Sequence, residues 1–253
     1  MKAITIKQQM NELYEQFDGQ SFIQHDPISI VHHIKSLPSS SIADIELCAI
    51  LTAMISWGNR KQIITSATSI MNMCNWKPSE FIRLGDCYDV PDNQNIHRTL
   101  KGEQFKKVCH ELRLFYNKCH SIQHALNTHH QKLSIDELLH TLCHWGRDAR
   151  LGSPDRNSAC KRINMLLRWM IRKDDVDLGL WKSLMIDQTQ LYAIMDTHIA
   201  QQAMKMGLIS YPKDSWKAVL ELTDVYRSWD CSDPLKYDFV LMTNNLKRNE
   251  HGG

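Results

Sequence analysis

Two residue types with known sugar chemistry stand 35 residues apart in this chain: Lys161, which opens a helical segment, and Asp196, in Met195-Asp196-Thr197-His198 at the start of another. A lysine amine that has lost its proton attacks a sugar carbon and forms a Schiff base. A carboxylate fixed at a helix N-terminus stays ionised and steadies positive charge developing at that carbon. Such a pair is the least equipment needed to cut a base from DNA. Each residue also has a plainer reading. Lys161 fits the solvated face of an amphipathic helix, and Asp196 fits an N-cap. The chemical reading carries a geometric requirement: amine and carboxylate must converge within several ångströms at a cleft.

From Ser158 the chain reads Ser-Ala-Cys-Lys-Arg-Ile-Asn-Met-Leu-Leu-Arg-Trp-Met-Ile-Arg. At roughly 100° per residue, Ile163, Leu166, Leu167, Met170 and Ile171 form the face to be buried. Lys161, Arg168 and Arg172 group on the other side, flanked by Arg162 and Trp169. A cationic stripe beside an aromatic ring suits a phosphate backbone and an unstacked base, so these residues are expected on DNA. To act as a nucleophile, Lys161 would have to lose its proton near neutrality through desolvation or cationic neighbours. The preceding link, Gly146-Arg147-Asp148-Ala149-Arg150-Leu151-Gly152-Ser153-Pro154, is a tight connection. The helix N-terminus behind it offers free N–H groups to phosphate, which places Arg150 among the candidate DNA contacts.

The rest of the chain sets limits. Its 253 residues suffice for one large domain or two lobes, and 43% hydrophobic with 23% charged residues is ordinary for a globular protein. No apolar run approaches the roughly 20 residues of a membrane span. The N-terminus lacks a signal-peptide core, so the expected location is cytoplasmic, with no membrane partner. Net charge is only +2, so a nucleic-acid face has to be a local patch. Eight cysteines are scattered without a C-x-x-C pair, which argues for reduced thiols and against zinc ribbons or iron–sulfur ligands.

Helix formers outweigh strand formers, no alternating strand is evident, and about ten helices are expected. Their starts are legible at Asp26-Pro27, at Ser41 with Asp44, at Asn59, at Ser134 with Glu137, at Asp196, at Asp214 or Ser215, and at Asp233-Pro234. Gly85 to Asn95 and Asp174 to Gly179 are the irregular stretches, and the first suggests a lobe boundary near 85–100. The expected fold is therefore all-α, with residues 1–253 forming a single bilobed helical domain.

Asp174, Asp175 and Asp177 could hold a divalent cation, although a solvated acidic turn explains them as well. His124, His129 and His130 lack a matching carboxylate or cysteine and read as a surface cluster, so neither a metal nor a cofactor is expected. Asp177 with Trp181 reads either as a base pocket, with a ring to stack on and an acceptor for base N–H groups, or as core. His198 would orient the Asp196 carboxylate or fill a semi-buried slot.

Asp196-Thr197-His198-Ile199, followed by Met206-Gly207-Leu208, resembles the "V-D-T-H-V … L-G-L" segment of helix-hairpin-helix DNA glycosylases, the superfamily of endonuclease III and 8-oxoguanine glycosylase. The spacing from Lys161 looks like that of the archaeal 8-oxoguanine glycosylases. The chain looks closest to an uncharacterised bacterial family near these enzymes. That likeness is carried by Cys160-Lys161-Arg162, Leu167-Arg168-Trp169-Met170, Val176-Asp177-Leu178-Gly179-Leu180-Trp181 and Asp233-Pro234-Leu235-Lys236-Tyr237-Asp238-Phe239.

The resemblance implies two lobes with a cleft, Lys161 as nucleophile and Asp196 as its catalytic carboxylate. It also implies that Asn59 and Gln62 fill the gap left by a flipped base. Asp177, Trp181, Trp169 and His198 would then line the base pocket, and Arg162, Arg168, Arg172 and Arg150 would hold the strand. The expected activity is removal of an oxidised base from damaged duplex or single-stranded DNA by a monomer with β-lyase capacity. The Gly-rich "L-P-G-x-G" hairpin is absent, with Leu151-Gly152-Ser153-Pro154 in its place, and no C-terminal cysteine cluster follows. These departures keep open a non-catalytic nucleic-acid or protein-binding module on the same fold, and an enzyme acting on RNA or single strands.

Overall fold

Local capping sets most helix starts where the sequence places them. In a computed structural model that describes residues 5–128, 134–181, 183, 186–211 and 213–249, thirteen α-helices follow one another. They are α1 (Ile6–Glu15), α2 (Gly19–His25), α3 (Ile28–Ser36), α4 (Ile42–Met54), α5 (Arg60–Met73) and α6 (Pro78–Leu84). After a hairpin of β1 (Asn95–His97) and β2 (Leu100–Lys101) come α7 (Gly102–Tyr116), α8 (Ile122–Thr128), α9 (Ile135–Trp145) and α10 (Lys161–Ile171). The chain ends with α11 (Thr197–Lys205), α12 (Trp216–Trp229) and α13 (Lys236–Asn249).

The fold is all-α, with more and shorter helices than the expected ten. The extra helices, α2, α6 and α8, have seven residues each, too few for a full amphipathic period to show in sequence. The hairpin is a second difference. Its strands of three and two residues, turned by Arg98 at φ 51°, are too short to alternate visibly. It lies in the segment read as a lobe boundary and packs on α5 and α7. Of the histidines read as a surface cluster, His129 and His130 lie outside the described residues.

Ser41 caps α4 in a reciprocal box with Asp44, and Asp44 also accepts from the Ser79 amide at 3.0 Å, tying α6 to α4. Helix α4 is the axis of the core: every residue from Asp44 to Met54 is buried, and α3 and α10 pack against it. One contiguous buried cluster runs from Met10 on α1 to Met242 on α13.

Glu46 is a fully buried charged residue within that core. Its carboxylate accepts from Tyr116 Oη at 2.8 Å, the Ile122 and Gln123 amides at 2.8 Å each, and Trp181 Nε1 at 2.9 Å. Four donors make its burial tolerable, although burial still pushes its carboxyl above the ordinary value. Glu46→Gln turns an N–H₂ towards donors that need an acceptor. It is expected to cost about 1–3 kcal/mol, seen as a lower urea midpoint with an unchanged slope.

Candidate active site

Lys161 stands at the first position of α10 because the chain before it turns sharply. Arg150, Asn157 and Cys160 all adopt positive φ, and Gly152 sits at φ 91°. A Cβ at Gly152 would lie 2.3 Å from Ser158 Oγ, so this turn requires glycine. Arg162 clamps the connection from inside: Nη1 donates to Met54 O at 2.6 Å and Ala149 O at 3.3 Å, and Nη2 donates to Arg150 O. The same guanidinium lies 4.7 Å from the Trp57 ring centroid.

Asp196 is positioned by a different set of contacts. The extended segment before it is held by the Ala193 amide donating to Thr223 Oγ1 at 3.0 Å and the Ile194 amide donating to Asp238 Oδ2 at 3.1 Å. Asn164 on α10 donates to Ala159 O at 3.1 Å and Ala193 O at 3.5 Å, locking the two segments together. Asp196 then caps α11, accepting from the Ile199 amide at 2.9 Å.

Amine and carboxylate converge. Lys161 Nζ donates to Asp196 Oδ2 at 2.7 Å, and the two side chains retain 35% and 31% exposure. Burial raises the Asp196 carboxyl, but Lys161, the Ile199 amide and His198 outweigh it, and the group is held below its ordinary value. It is ionised at neutral pH. A pair this exposed contributes at most about 1 kcal/mol to stability, so stability alone is a weak reason for it. The pair opens on a cavity of about 710 Å³, lined among others by Asp26, Trp57, Asn59, Arg60 and His198. That volume is of the size that holds a small heterocyclic ligand.

The remaining expected site residues divide. Asn59 caps α5, accepting from the Gln62 amide at 3.3 Å, and lines the cavity; Gln62 is exposed one turn on. His198 lines the cavity from the first turn of α11. Arg150 is exposed on a neighbouring groove of about 500 Å³, which also carries Lys107, Arg147 and Arg162 and shares Trp57 with the cavity.

Arg168 and Arg172 are not on a DNA-facing surface: their side chains are 0% and 1% exposed. Arg168 Nε donates to Asp177 Oδ1 at 3.3 Å, while Arg172 donates to Asp177 Oδ2 at 3.0 Å, to Asp233 at 2.8 Å and to Asp174. Phe239 of α13 lies 4.2 Å and 5.1 Å from the two guanidinium carbons. Phe239 and Met242 of α13 therefore cover the Arg168 and Arg172 part of the polar side of α10, where the cations pair with carboxylates from elsewhere, while Lys161 stays open to the cavity.

The same packing corrects the base pocket. Asp177 is enclosed between the two arginines, Trp181 is enclosed with its Nε1 bound to Glu46, and Trp169 is fully buried. None of the three lines the cavity. The Asp174–Asp177 turn is likewise organised by protein groups: Asp174 Oδ1 accepts from the Val176 and Asp177 amides. Among the described residues no three His, Cys, Asp or Glu side chains converge as a metal site would require, and no helix is long and apolar enough to cross a membrane.

Sequence reading missed Trp57, Asp26 and Arg60. Trp57 was visible as an aromatic just before Gly58, yet nothing local says it faces a cavity. Its ring is set edge-on to His97 at 4.6 Å, and His97 Nε2 lies 2.9 Å from the Trp57 carbonyl.

Behind the site, Asp238 is fully buried, and burial pushes its carboxyl up to about 7. An acid with a raised folded-state value binds protons that the unfolded chain has already lost. The contribution of this group to stability therefore falls as pH rises from about 4 to about 7. Asp238→Asn is expected to lack this component, so its stability relative to wild type rises between pH 4.5 and 7.5 in paired urea titrations.

Residues 26–247 match the family described as "Protein of unknown function (DUF2400)", and the chain belongs to that family. No curated protein and no solved structure matches it.

Proposed function

We propose that this chain is a base-excision DNA glycosylase with β-lyase capacity, built on a helix-hairpin-helix glycosylase-like fold. The observation that carries this reading is the 2.7 Å contact between Lys161 Nζ and Asp196 Oδ2 at the cavity. Asp196 is the adjacent acceptor for the proton that Lys161 must shed. The freed amine attacks the deoxyribose C1′ and the N-glycosidic bond breaks, the base leaving with the bonding pair and collecting a proton. Asp196 hands that proton on to the departing base, and its carboxylate, charged again, steadies the positive charge on the sugar as the bond stretches. Opening of the sugar ring gives the Schiff base from which a β-elimination cuts the strand.

The cavity beside the pair is where the extruded base would sit, with Trp57 on its wall. The strand would follow the adjoining groove, whose Lys107, Arg147 and Arg150 are suited to phosphates. Burial of Arg168 and Arg172 removes two expected backbone contacts and favours a second reading, action on single strands.

The test is base release and strand cleavage from oligonucleotides carrying oxidised purines, each as single strand and duplex. Release from either form supports the enzyme, and the ratio selects the strand. Salt-dependent binding to an abasic duplex without any release across the panel would instead support a non-catalytic module.

A further inference from the structure

The cavity is lined by a buried carboxylate that holds one bond from the protein and by an arginine with a buried guanidinium nitrogen that has no partner among the described residues. Asp26, 2% exposed, lies between α2 and α3 and lines the cavity. Its Oδ1 accepts from the Ile28 amide at 3.1 Å, and no other side-chain hydrogen bond or ion pair reaches it among the described residues. Arg60 at the start of α5 lines the same cavity, with its guanidinium 5.9 Å from the Phe22 ring centroid and its Nη1 buried without a partner. The fields of Arg60, Arg168 and Lys161 all act on Asp26, yet burial prevails and its carboxyl stays above the ordinary value. A buried carboxylate without a direct cation and a buried N–H without an acceptor are each unfavourable. A ligand that supplies the missing donor and acceptor relieves both.

We infer that Asp26 and Arg60 read the lactam edge of a heterocyclic base, an N–H beside a carbonyl, as in guanine, hypoxanthine and uracil. The Asp26 oxygen left free accepts the ring N–H, and the Arg60 guanidinium donates to the neighbouring carbonyl. Both bonds are charge-assisted, and such bonds are about twice as strong as neutral ones. The N–H of a lactam is more acidic than an exocyclic amine, and its carbonyl is a better acceptor than a ring nitrogen. Adenine and cytosine, which offer an amine and an imine nitrogen, therefore fit the pair less well. The role is one of specificity: neither residue reaches the Lys161–Asp196 contact through a hydrogen bond. This inference rests on the cavity being the base pocket of the proposed glycosylase.

Inosine and adenosine differ only in that edge, so titration calorimetry with these two nucleosides is the test. Inosine is expected to bind at least about tenfold more tightly than adenosine, the discrimination a two-bond base contact provides. Asp26→Asn and Arg60→Met should each reduce inosine affinity about tenfold and erase the preference, with urea midpoints reporting that each variant is folded. Equal affinities, including no binding of either, overturn the assignment, as does a preference that survives both substitutions. Borohydride trapping on an abasic duplex, which contains no base at the reacting sugar, reports separately on the glycosylase reading. An adduct without nucleoside preference would sink the edge reader alone, and a preference without an adduct would sink the lyase chemistry alone.

Discussion

Replacing Lys161 with glutamine is expected to remove the borohydride-trappable adduct of the proposed lyase, and replacing Asp196 with asparagine to slow base release by about 10²–10⁴-fold, with both variants still folded. The expectation follows from what each substitution keeps. Asparagine caps a helix about as well as aspartate, so the bond from the Ile199 amide and the start of α11 survive Asp196→Asn. What is lost is the negative charge beside the Lys161 amine, 2.7 Å away. Glutamine at 161 retains much of the side chain's length but has no nucleophilic amine. The ion pair it removes is about one-third exposed on each side and contributes at most about 1 kcal/mol. Rates and adduct yields measured beside melting temperatures separate the two effects. A melting temperature that collapses with the activity would mark the pair as structural.

Asp177→Ala is expected to destabilise the protein by about 3–5 kcal/mol, the cost of leaving buried charge without its partner. Asp177 is fully buried and is the carboxylate that Arg168 and Arg172 share. Arg172 keeps Asp174, Asp233 and the Tyr14 hydroxyl, whereas among the described residues Arg168 has no other carboxylate within hydrogen-bonding distance and its Nη2 lacks a partner. Removal of Asp177 therefore strands Arg168 against Phe239 with only Met242 Sδ at 3.5 Å. For a chain of this length the loss corresponds to a fall in melting temperature on the order of 10 °C. The contrast with a phosphate contact is sharp. Substituting a phosphate-binding arginine changes the salt dependence of DNA binding and leaves stability nearly untouched. Near-wild-type stability for Asp177→Ala would mean that the arginines are not held as described.

The features that proved legible are local. Ser41 with Asp44, Ser134 with Glu137, and Asp196 cap helices through bonds three residues long, so the residues that make them are neighbours in sequence. The all-α class follows from the same helix propensities. Lys161 and Asp196 were legible as a pair only through the resemblance of their segments; their contact depends on Asn164, Thr223 and Asp238, which lie on three different helices.

Arg168 and Arg172 show why the rest was hidden. A helical wheel separates an apolar side from a polar side, but it cannot say whether another helix will cover the polar one. Here Phe239 and Met242 of α13 cover the part that carries Arg168 and Arg172, and their charges are met by Asp177 and by Asp233, which lies 61 residues beyond Arg172. Asp26 was legible as a helix start, and its Oδ1 does accept from the Ile28 amide. Its place in the cavity lining arises only when α5 brings Arg60 to the same cavity.

In the proposed reaction Lys161 forms a Schiff base with a deoxyribose while Asp196 assists. Its most direct test is borohydride reduction of the wild-type protein on abasic and oxidised-purine DNA, followed by peptide mass mapping of the trapped adduct. A single adduct is expected on the peptide that contains Lys161, absent from Lys161→Gln. An adduct mapped to any other lysine, or none from the wild-type protein on any substrate of the panel, would contradict it.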